Sequence, residues 1–266
     1  MISVYITSYN KGAYLPEAIT SVLEQSLRPT EIIIIDDCSL DDSREIIQGF
    51  ETRYPNIINT IFNERNLGIS KTRNRALKMC KGTLITYLDA DDIFYRNKLQ
   101  TEYDCLLDNK NSDIVYSNFN YIDSKSNPIG VFSKPEDQPS VGNIFKETYN
   151  RAYNVSSGNN YIYEMCSKTL FINTGMYDEN VHIWEDWDLR IRMSKKYNYS
   201  YCSVINSAYR KLDTGLHVSS KESHYREQLK IHIKNKHLLN DLENNEISII
   251  VNKIYSRLKF LLVHVL

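Results

Sequence analysis

Residues Thr83–Asp92 read TLITYLDADD. The apolar, β-branched run Thr83–Leu88 predicts a strand, and it ends on the cluster Asp89-Ala90-Asp91-Asp92. Asp89 and Asp91 are two residues apart, so in an extended chain their side chains point the same way. Massed carboxylates repel, and each prefers water. Holding them at the end of a buried strand makes chemical sense if a hard cation bridges them to phosphate oxygens. The plainer alternative is a solvated turn in which Asp92 caps the next helix.

Working outward, strands and helices alternate. Strands are expected at Ile2–Thr7, Glu31–Asp36 (EIIIID), Ile57–Phe62 and Asp113–Ser117. Helices are expected at Tyr14–Gln25, Asp41–Phe50, Ile69–Met79 and Tyr95–Leu107, with Asp41 or Asp42 as an N-cap. This order implies βαβ units and a parallel sheet whose strand C-termini share one edge. Ligands of open α/β sheets bind at that edge. Three polar segments fall there: Thr7-Ser8-Tyr9-Asn10, Asp36-Asp37 and the acidic cluster. The second half is less regular. Tyr121–Ser140 reads as hairpin and loop, Trp184–Lys196 as a helix, and Tyr199–Tyr209 as one or two strands. Ser219–Leu242 and Ile247–Leu266 read as two closing helices.

The chain has 266 residues, 42% hydrophobic and 24% charged, with a formal net charge of -1. That balance excludes bulk nucleic-acid binding, so an anionic ligand must be held by a local site. The five cysteines form no CxxC pair, which points to reduced thiols rather than a disulfide framework or zinc knuckle. Met1 runs directly into the first strand, and no apolar run reaches transmembrane length. The chemistry is therefore expected in the cytoplasm. The last segment leaves three expectations open. Its apolar face could pack on its own domain, form a homodimer, or touch the inner face of the plasma membrane through Lys253, Arg257 and Lys259.

Each polar motif has a functional and a bland reading. Asp37 could accept hydrogen bonds from a nucleoside or merely cap a turn. Lys71, Arg73 and Arg75 in GISKTRNR could clamp a diphosphate or form a solvated basic face. Trp184-Glu185-Asp186-Trp187-Asp188 opens a helix with Trp184, Trp187 and Ile191 on one face and Asp186 on another. A carboxylate beside indoles loses hydration, which raises its pKa and suits a general base. The bland alternative is a helix-dipole effect with an Asp186/Arg190 pair. His217 stands alone, as structural histidines usually do.

The stretches SVYITSYN (3–10), YLPEAITSVLEQ (14–25), EIIIIDDCS (31–39), NLGISKTRNRA (66–76), TLITYLDADD (83–92), GMYDE (175–179) and EDWDLR (185–190) together resemble glycosyltransferase family 2. The resemblance covers residues 2–215. It implies an α/β GT-A (Rossmann-like) fold: a mixed, mostly parallel sheet flanked by helices, with a C-terminal helical extension. It divides the chain into a catalytic domain at 1–218 and the extension at 219–266. Within the former, 1–117 would bind the nucleotide sugar and 118–218 the acceptor. It implies an inverting transfer from a nucleotide-diphosphate sugar, most often a UDP-sugar, to a saccharide or lipid-linked saccharide hydroxyl. Such activity fits bacterial surface polysaccharide synthesis. Thr7, Tyr9 and Asp37 would hold the nucleoside, Lys71 and Arg73 the base or diphosphate, and Asp89 the ribose or donor sugar. Asp91 would bind Mn²⁺ or Mg²⁺ with His217, and Asp186 would be the base, supported by Glu185 and Trp184. The competing class is a catalytically inactive nucleotide-sugar-binding subunit. Dehydrogenases and P-loop NTPases are excluded because TSYNKG follows the first strand where a GxGxxG or GxxxxGK[ST] loop is needed.

Overall fold

A computed structural model describes residues 1–151, 155, 161–213, 220–240, 242–244, 247, 248, 250–252, 254–256 and 259. The four apolar runs of the first half form neighbouring strands: β1 (Ile2–Ser8), β2 (Glu31–Asp36), β3 (Ile58–Phe62) and β4 (Leu84–Asp89). All six residues of β2 are buried. Its four isoleucines need apolar cover on both faces, which only a central strand of a layered sheet provides. Burying one isoleucine is worth roughly 1.5–3 kcal/mol, so this strand strongly favours the middle of the sheet.

The remaining strands are β5 (Ile93–Phe94), β6 (Ile114–Ile122), β7 (Pro128–Val131), β8 (Met165–Ser167) and β9 (Tyr199–Arg210). The sheet order is β3-β2-β1-β4-β8-β6-β9-β5, with β7 added to β6. Strands β1, β2, β3, β4, β6 and β9 run in one direction, while the short β5, β7 and β8 oppose it. The parallel strands expected from the alternation are present in the first half, and the whole is the mixed, mostly parallel sheet that the resemblance implies.

Helices α1 (Leu15–Leu23), α2 (Ser43–Arg53), α3 (Ile69–Met79) and α4 (Lys98–Asp108) connect the strands of the first half. In α1, Leu15, Ala18, Ile19 and Val22 are all fully buried, the spacing of one helical face. Then follow α5 (Phe145–Asn150), α6 (Lys168–Thr174), α7 (Glu185–Ser194) and α8 (Lys221–Asn235), with a 3-10 turn at Lys236–Leu239.

Several boundaries differ from expectation. The helix predicted from Tyr95 starts at Lys98, because β5 first pairs with β9 and the Tyr95 N–H donates to the Asn206 carbonyl. Strand β6 runs five residues past Ser117, held by β9 and β7. The extension packs on its own domain: Ile231 and Ile250, each 1% exposed, join Phe145, Tyr149, Trp187 and Ile191 in a second apolar cluster. That matches the first of the three expectations for this segment. Among the described residues no helix is long and apolar enough to cross a membrane. All five cysteines are free.

Candidate active site

Register brings the polar strand ends together. On β1, Thr7 pairs with Asp89 of β4, and Ser8 pairs with Asp36 of β2. Over this edge lies a cleft of about 590 Å³, closed on the far side by the start of α7 and by α8. Thr7, Tyr9, Asp37, Arg73, Asp89, Asp91, Trp184, Glu185 and Asp186 all line it. Thr7 is buried, and Tyr9 is exposed.

Asp37 serves the loop before α3. Its carboxylate accepts from the Leu67 and Gly68 N–H groups at 2.8 and 2.9 Å and from Asn63 Nδ2 at 2.7 Å. Gly68 sits at φ +84°, a conformation that favours glycine, and opens the helix. Asp36 is fully buried beneath, taking Ser39 N–H and Arg44 Nε.

The helical turn of α3 decides the fate of its cations. Ile69, Thr72 and Arg73 face the cleft, whereas Lys71 is exposed and outside the lining. Lys71, expected at the diphosphate, stands on a face of α3 that 100° per residue turns from the one Thr72 and Arg73 present. Arg73 is 4% exposed and committed, donating to Asp89 Oδ1 at 2.7 Å and Glu185 Oε1 at 2.8 Å. Its guanidinium also lies over the Tyr87 and Tyr177 rings, at 4.8 and 5.5 Å. Burial opposes its charge, but Asp89 and Glu185 outweigh that and push its pKa further up. It lines the cleft with its guanidinium joining the two carboxylates.

The acidic cluster divides its labour. Asp91 Oδ2 receives Lys11 Nζ at 2.5 Å. Asp92 is not the helix cap of the plainer reading. It is 2% exposed, and accepts from Tyr163 OH and from the Arg210 N–H. Burial, then the neighbouring Asp91 and Asp89, push its carboxyl well above the usual range. Lys11 went unnoticed in the sequence because nothing in YNKG marks a lysine as facing inward. His224, which packs edge-on against Trp184 from α8, was missed likewise. His217 lies outside the described residues.

At the start of α7, Trp184 takes a left-handed φ of 69°, an uncommon conformation for a bulky residue. It turns Glu185 inward and leaves Asp186 one quarter exposed in the cleft. Burial pushes the Glu185 carboxyl up to about 7, against the pull of Arg73. Burial also acts on Asp186, but Arg190 and then Arg73 outweigh it, and its pKa lies below the usual value. This reverses the expected rise at Asp186. The cause is Arg190, fully buried, whose Nη1 donates to Asp186 Oδ2 at 2.7 Å. The i,i+4 pair foreseen as the bland alternative is present beneath the cleft.

A divalent cation fits the rim of β4. Asp89 Oδ2 and Asp91 Oδ1 have no hydrogen-bond partner among the described residues. Two hard oxygen donors facing one cleft suit Mg²⁺ or Mn²⁺. Among the described residues no set of three His, Cys, Asp or Glu side chains gathers as a metal cage.

The parallel sheet, with carboxylates on its C-terminal edge and a Glu-Asp helix start across the cleft, defines the GT-A class of fold. The model of glycosyl transferase family 2 matches residues 3–212, and the chain belongs to that family. It is 29% identical over 214 residues to the UDP-Glc:alpha-D-GlcNAc-diphosphoundecaprenol beta-1,3-glucosyltransferase WfgD of Escherichia coli, covering 79% of this chain and 77% of that protein. The minor teichoic acid biosynthesis protein GgaA of Bacillus subtilis is 32% identical over 191 residues, 70% of this chain but 41% of its own length. The chain spans 58% or less of each of the first four curated relatives it matches. Among solved structures, S. aureus TarS 1-349 in complex with UDP-GlcNAc superposes with a TM-score of 0.71 at 21% identity, covering 96% of this chain and 72% of that one. That likeness is one of fold.

Proposed function

We propose that the chain is an inverting, metal-dependent glycosyltransferase that moves a sugar from a UDP-sugar to a hydroxyl of a saccharide or lipid-linked saccharide, in bacterial surface polysaccharide synthesis. One observation carries the reading. Asp91 and Asp186 line one cleft, and the two acidic groups to which they belong are a single guanidinium apart, Arg73 bonding Asp89 on one side and Glu185 on the other. The relatives' names add the substrate class: WfgD uses UDP-Glc, and GgaA serves teichoic acid biosynthesis.

In this reading Tyr9 offers its exposed ring to the base, with Thr7 and Asp37 beside the nucleoside. Asp89 meets the ribose or donor sugar. Asp91, with Asp89 adjacent, would hold Mn²⁺ or Mg²⁺, and His217 is proposed as a further ligand. The ion, when bound, supplies positive charge to the departing diphosphate. Trp184 and Glu185 shape the acceptor side. Asp186 takes the acceptor's proton as the hydroxyl oxygen bonds to the anomeric carbon and the bond from that carbon to the phosphate oxygen breaks. A single displacement from the opposite face inverts the configuration. A carboxylate held below its usual pKa is ionised at neutral pH, so it is always ready. Its weak basicity suffices because the hydroxyl becomes acidic as its new bond forms.

The test is a thermal-shift and transfer screen of nucleotide sugars with Mn²⁺, on the wild type and on Asp186→Asn. The variant should keep donor binding and lose about 100-fold or more in transfer. Near-normal transfer by the variant would end the assignment. Donor binding by the wild type without transfer to any acceptor would instead identify a binding subunit.

A further inference from the structure

We infer that Lys11 is the diphosphate-binding cation of this cleft, stored on Asp91 until a divalent ion takes that carboxylate. The inference rests on the donor reading above and extends it to a residue outside every motif singled out in the sequence.

The case begins with the other cations. Besides Lys11, three cationic or titratable nitrogen side chains line the cleft among the described residues: Arg73, Arg210 and His224. Both ends of the Arg73 guanidinium are taken by Asp89 and Glu185. Arg210 is 2% exposed and fully engaged, with Nε on the Asp91 carbonyl, Nη1 on the Asp123 carbonyl and Ser126 Oγ, and Nη2 on Glu17. His224 packs against Trp184. Lys11 differs. Its ammonium has three N–H donors and, among the described residues, one hydrogen-bond partner, Asp91 Oδ2 at 2.5 Å. The two side chains are 22% and 18% exposed, so the pair is reached by solvent and its parting buries no lone charge.

The backbone is fixed while the side chain can move. The Lys11 N–H donates to Ser43 Oγ, and its carbonyl accepts from the N–H groups of Tyr14 and Leu15 at the start of α1. Its neighbours are tied as well: Asn10 N–H to Ser39 Oγ and Gly12 N–H to Asp41 Oδ2, each at 2.9 Å. From that anchor a flexible four-carbon stem carries a point charge, the form of cation suited to a phosphate whose oxygens shift during reaction. The carboxylate that holds Lys11 is the one that would bind the divalent ion. An ion held at the unpartnered Asp91 Oδ1 would offset the carboxylate's charge and loosen its hold on the ammonium at Oδ2, which is then free to swing to the diphosphate. A single acidic residue thus keeps the cation in place when the site is empty and releases it when the donor's ion arrives.

Calorimetry with UDP and with uridine, in Mg²⁺, tests the proposal on the wild type, Lys11→Met and Lys11→Arg. Lys11→Met should weaken UDP binding roughly tenfold to hundredfold, the effect of one charge-assisted contact. Its uridine affinity should stay within about twofold, which also shows that the variant is folded. Lys11→Arg should retain most UDP affinity. Without nucleotide, electron paramagnetic resonance should show Lys11→Met binding Mn²⁺ more tightly than the wild type, because the competing ammonium is gone. Unchanged UDP affinity in Lys11→Met, an equal loss for uridine, or unchanged or weaker Mn²⁺ binding would overturn the proposal and leave the donor reading standing. A wild type that binds neither UDP nor uridine would overturn the donor reading itself, and this inference with it.

Discussion

Arg190→Met is the most demanding test of how the base is held. Arg190 is fully buried and makes four hydrogen bonds: two to Glu164 at 3.1 and 2.8 Å, one to Asp186 at 2.7 Å and one to Tyr87 OH at 2.7 Å. Glu164 is itself only 2% exposed. Methionine fills part of the volume but leaves Glu164 with a buried, unpaired charge. Breaking such a pair from one side costs about 3–5 kcal/mol, a large share of the roughly 5–15 kcal/mol that holds a typical domain. At about 2–4 °C per kcal/mol for a chain of this size, the melting temperature should fall by roughly 6–20 °C. Adding Glu164→Gln removes the stranded charge, so the double variant should be more stable than Arg190→Met alone. Urea titrations of the four forms in a double-mutant cycle measure both effects. Activity gives a second, independent reading. Arg190 holds the Asp186 pKa down, so the wild type keeps an ionised base to unusually low pH. Without Arg190, the acid limb of kcat/KM should move to higher pH. A melting temperature within about 2 °C of the wild type, well under the cost of one stranded charge, or a double variant weaker than the single, would refute this account.

Asp91→Asn should lower Mn²⁺ affinity and cut transfer by orders of magnitude, and EDTA should do the same to the wild type; full transfer in EDTA would remove the metal from the proposal. Glu185 predicts a pH effect on stability. Its carboxyl is raised to about 7 in the fold, against roughly 4.3 in an unfolded chain, so the native state holds the proton more tightly. Stability must then decline as pH rises between those two values. Urea titrations at several pH values should show that decline in the wild type and its loss in Glu185→Gln; identical slopes would contradict it. Gly82→Ala should destabilise by about 1–3 kcal/mol, because its Cβ would stand 2.6 Å from the backbone nitrogen of Ser3, an atom locked in β1 that cannot move aside. An unchanged melting temperature in that variant would mean the β1–β4 contact is looser than described.

The first half of the chain was legible because its elements are long and its periodicities clean. EIIIID could only be a strand covered on both faces, and Leu15, Ala18, Ile19 and Val22 could only be a helical stripe. The second half hid its elements for physical reasons. Strand β8 is three residues, Met-Cys-Ser, too short to show alternation, yet it joins β4 to β6 and so sets the order of the whole sheet. Helices α5 and α6, at six and seven residues, span fewer than two full turns. At the site, the carboxylates of β2 and β4 were legible because their positions follow from strand ends, and the Asp186/Arg190 pair was legible from its i,i+4 spacing. The other partners were not. Lys11, Arg73 and Arg190 are cations of similar appearance in sequence, and only the direction in which the fold turns each one separates a buried strut from a movable charge. The same is true of the protons. Glu185 and Asp186 are adjacent residues. The i,i+4 spacing offered Arg190 to Asp186, but spacing alone could not say that this buried guanidinium outweighs the desolvation of Asp186 while Glu185 takes the raised pKa.

That pairing of acids with cations has a consequence for how the cleft can change state. Three partly exposed carboxylates, Asp89, Asp91 and Asp186, each hold one cation: Arg73, Lys11 and Arg190 respectively. The arginine side chains are 5% and 0% exposed, and each is also bonded to a second, buried carboxylate, Glu185 or Glu164. Moving either one would strand a charge with no water to receive it, at a cost that is a sizeable fraction of the stability of the domain. Lys11 bears no such second bond among the described residues and stands 22% exposed. An incoming ligand can therefore rearrange charge at Asp91 while the geometry of Asp89 and Asp186 stays fixed. The proposed transfer would draw on that combination: a donor side that adapts to an arriving diphosphate, and a carboxylate at Asp186 that does not shift when it does.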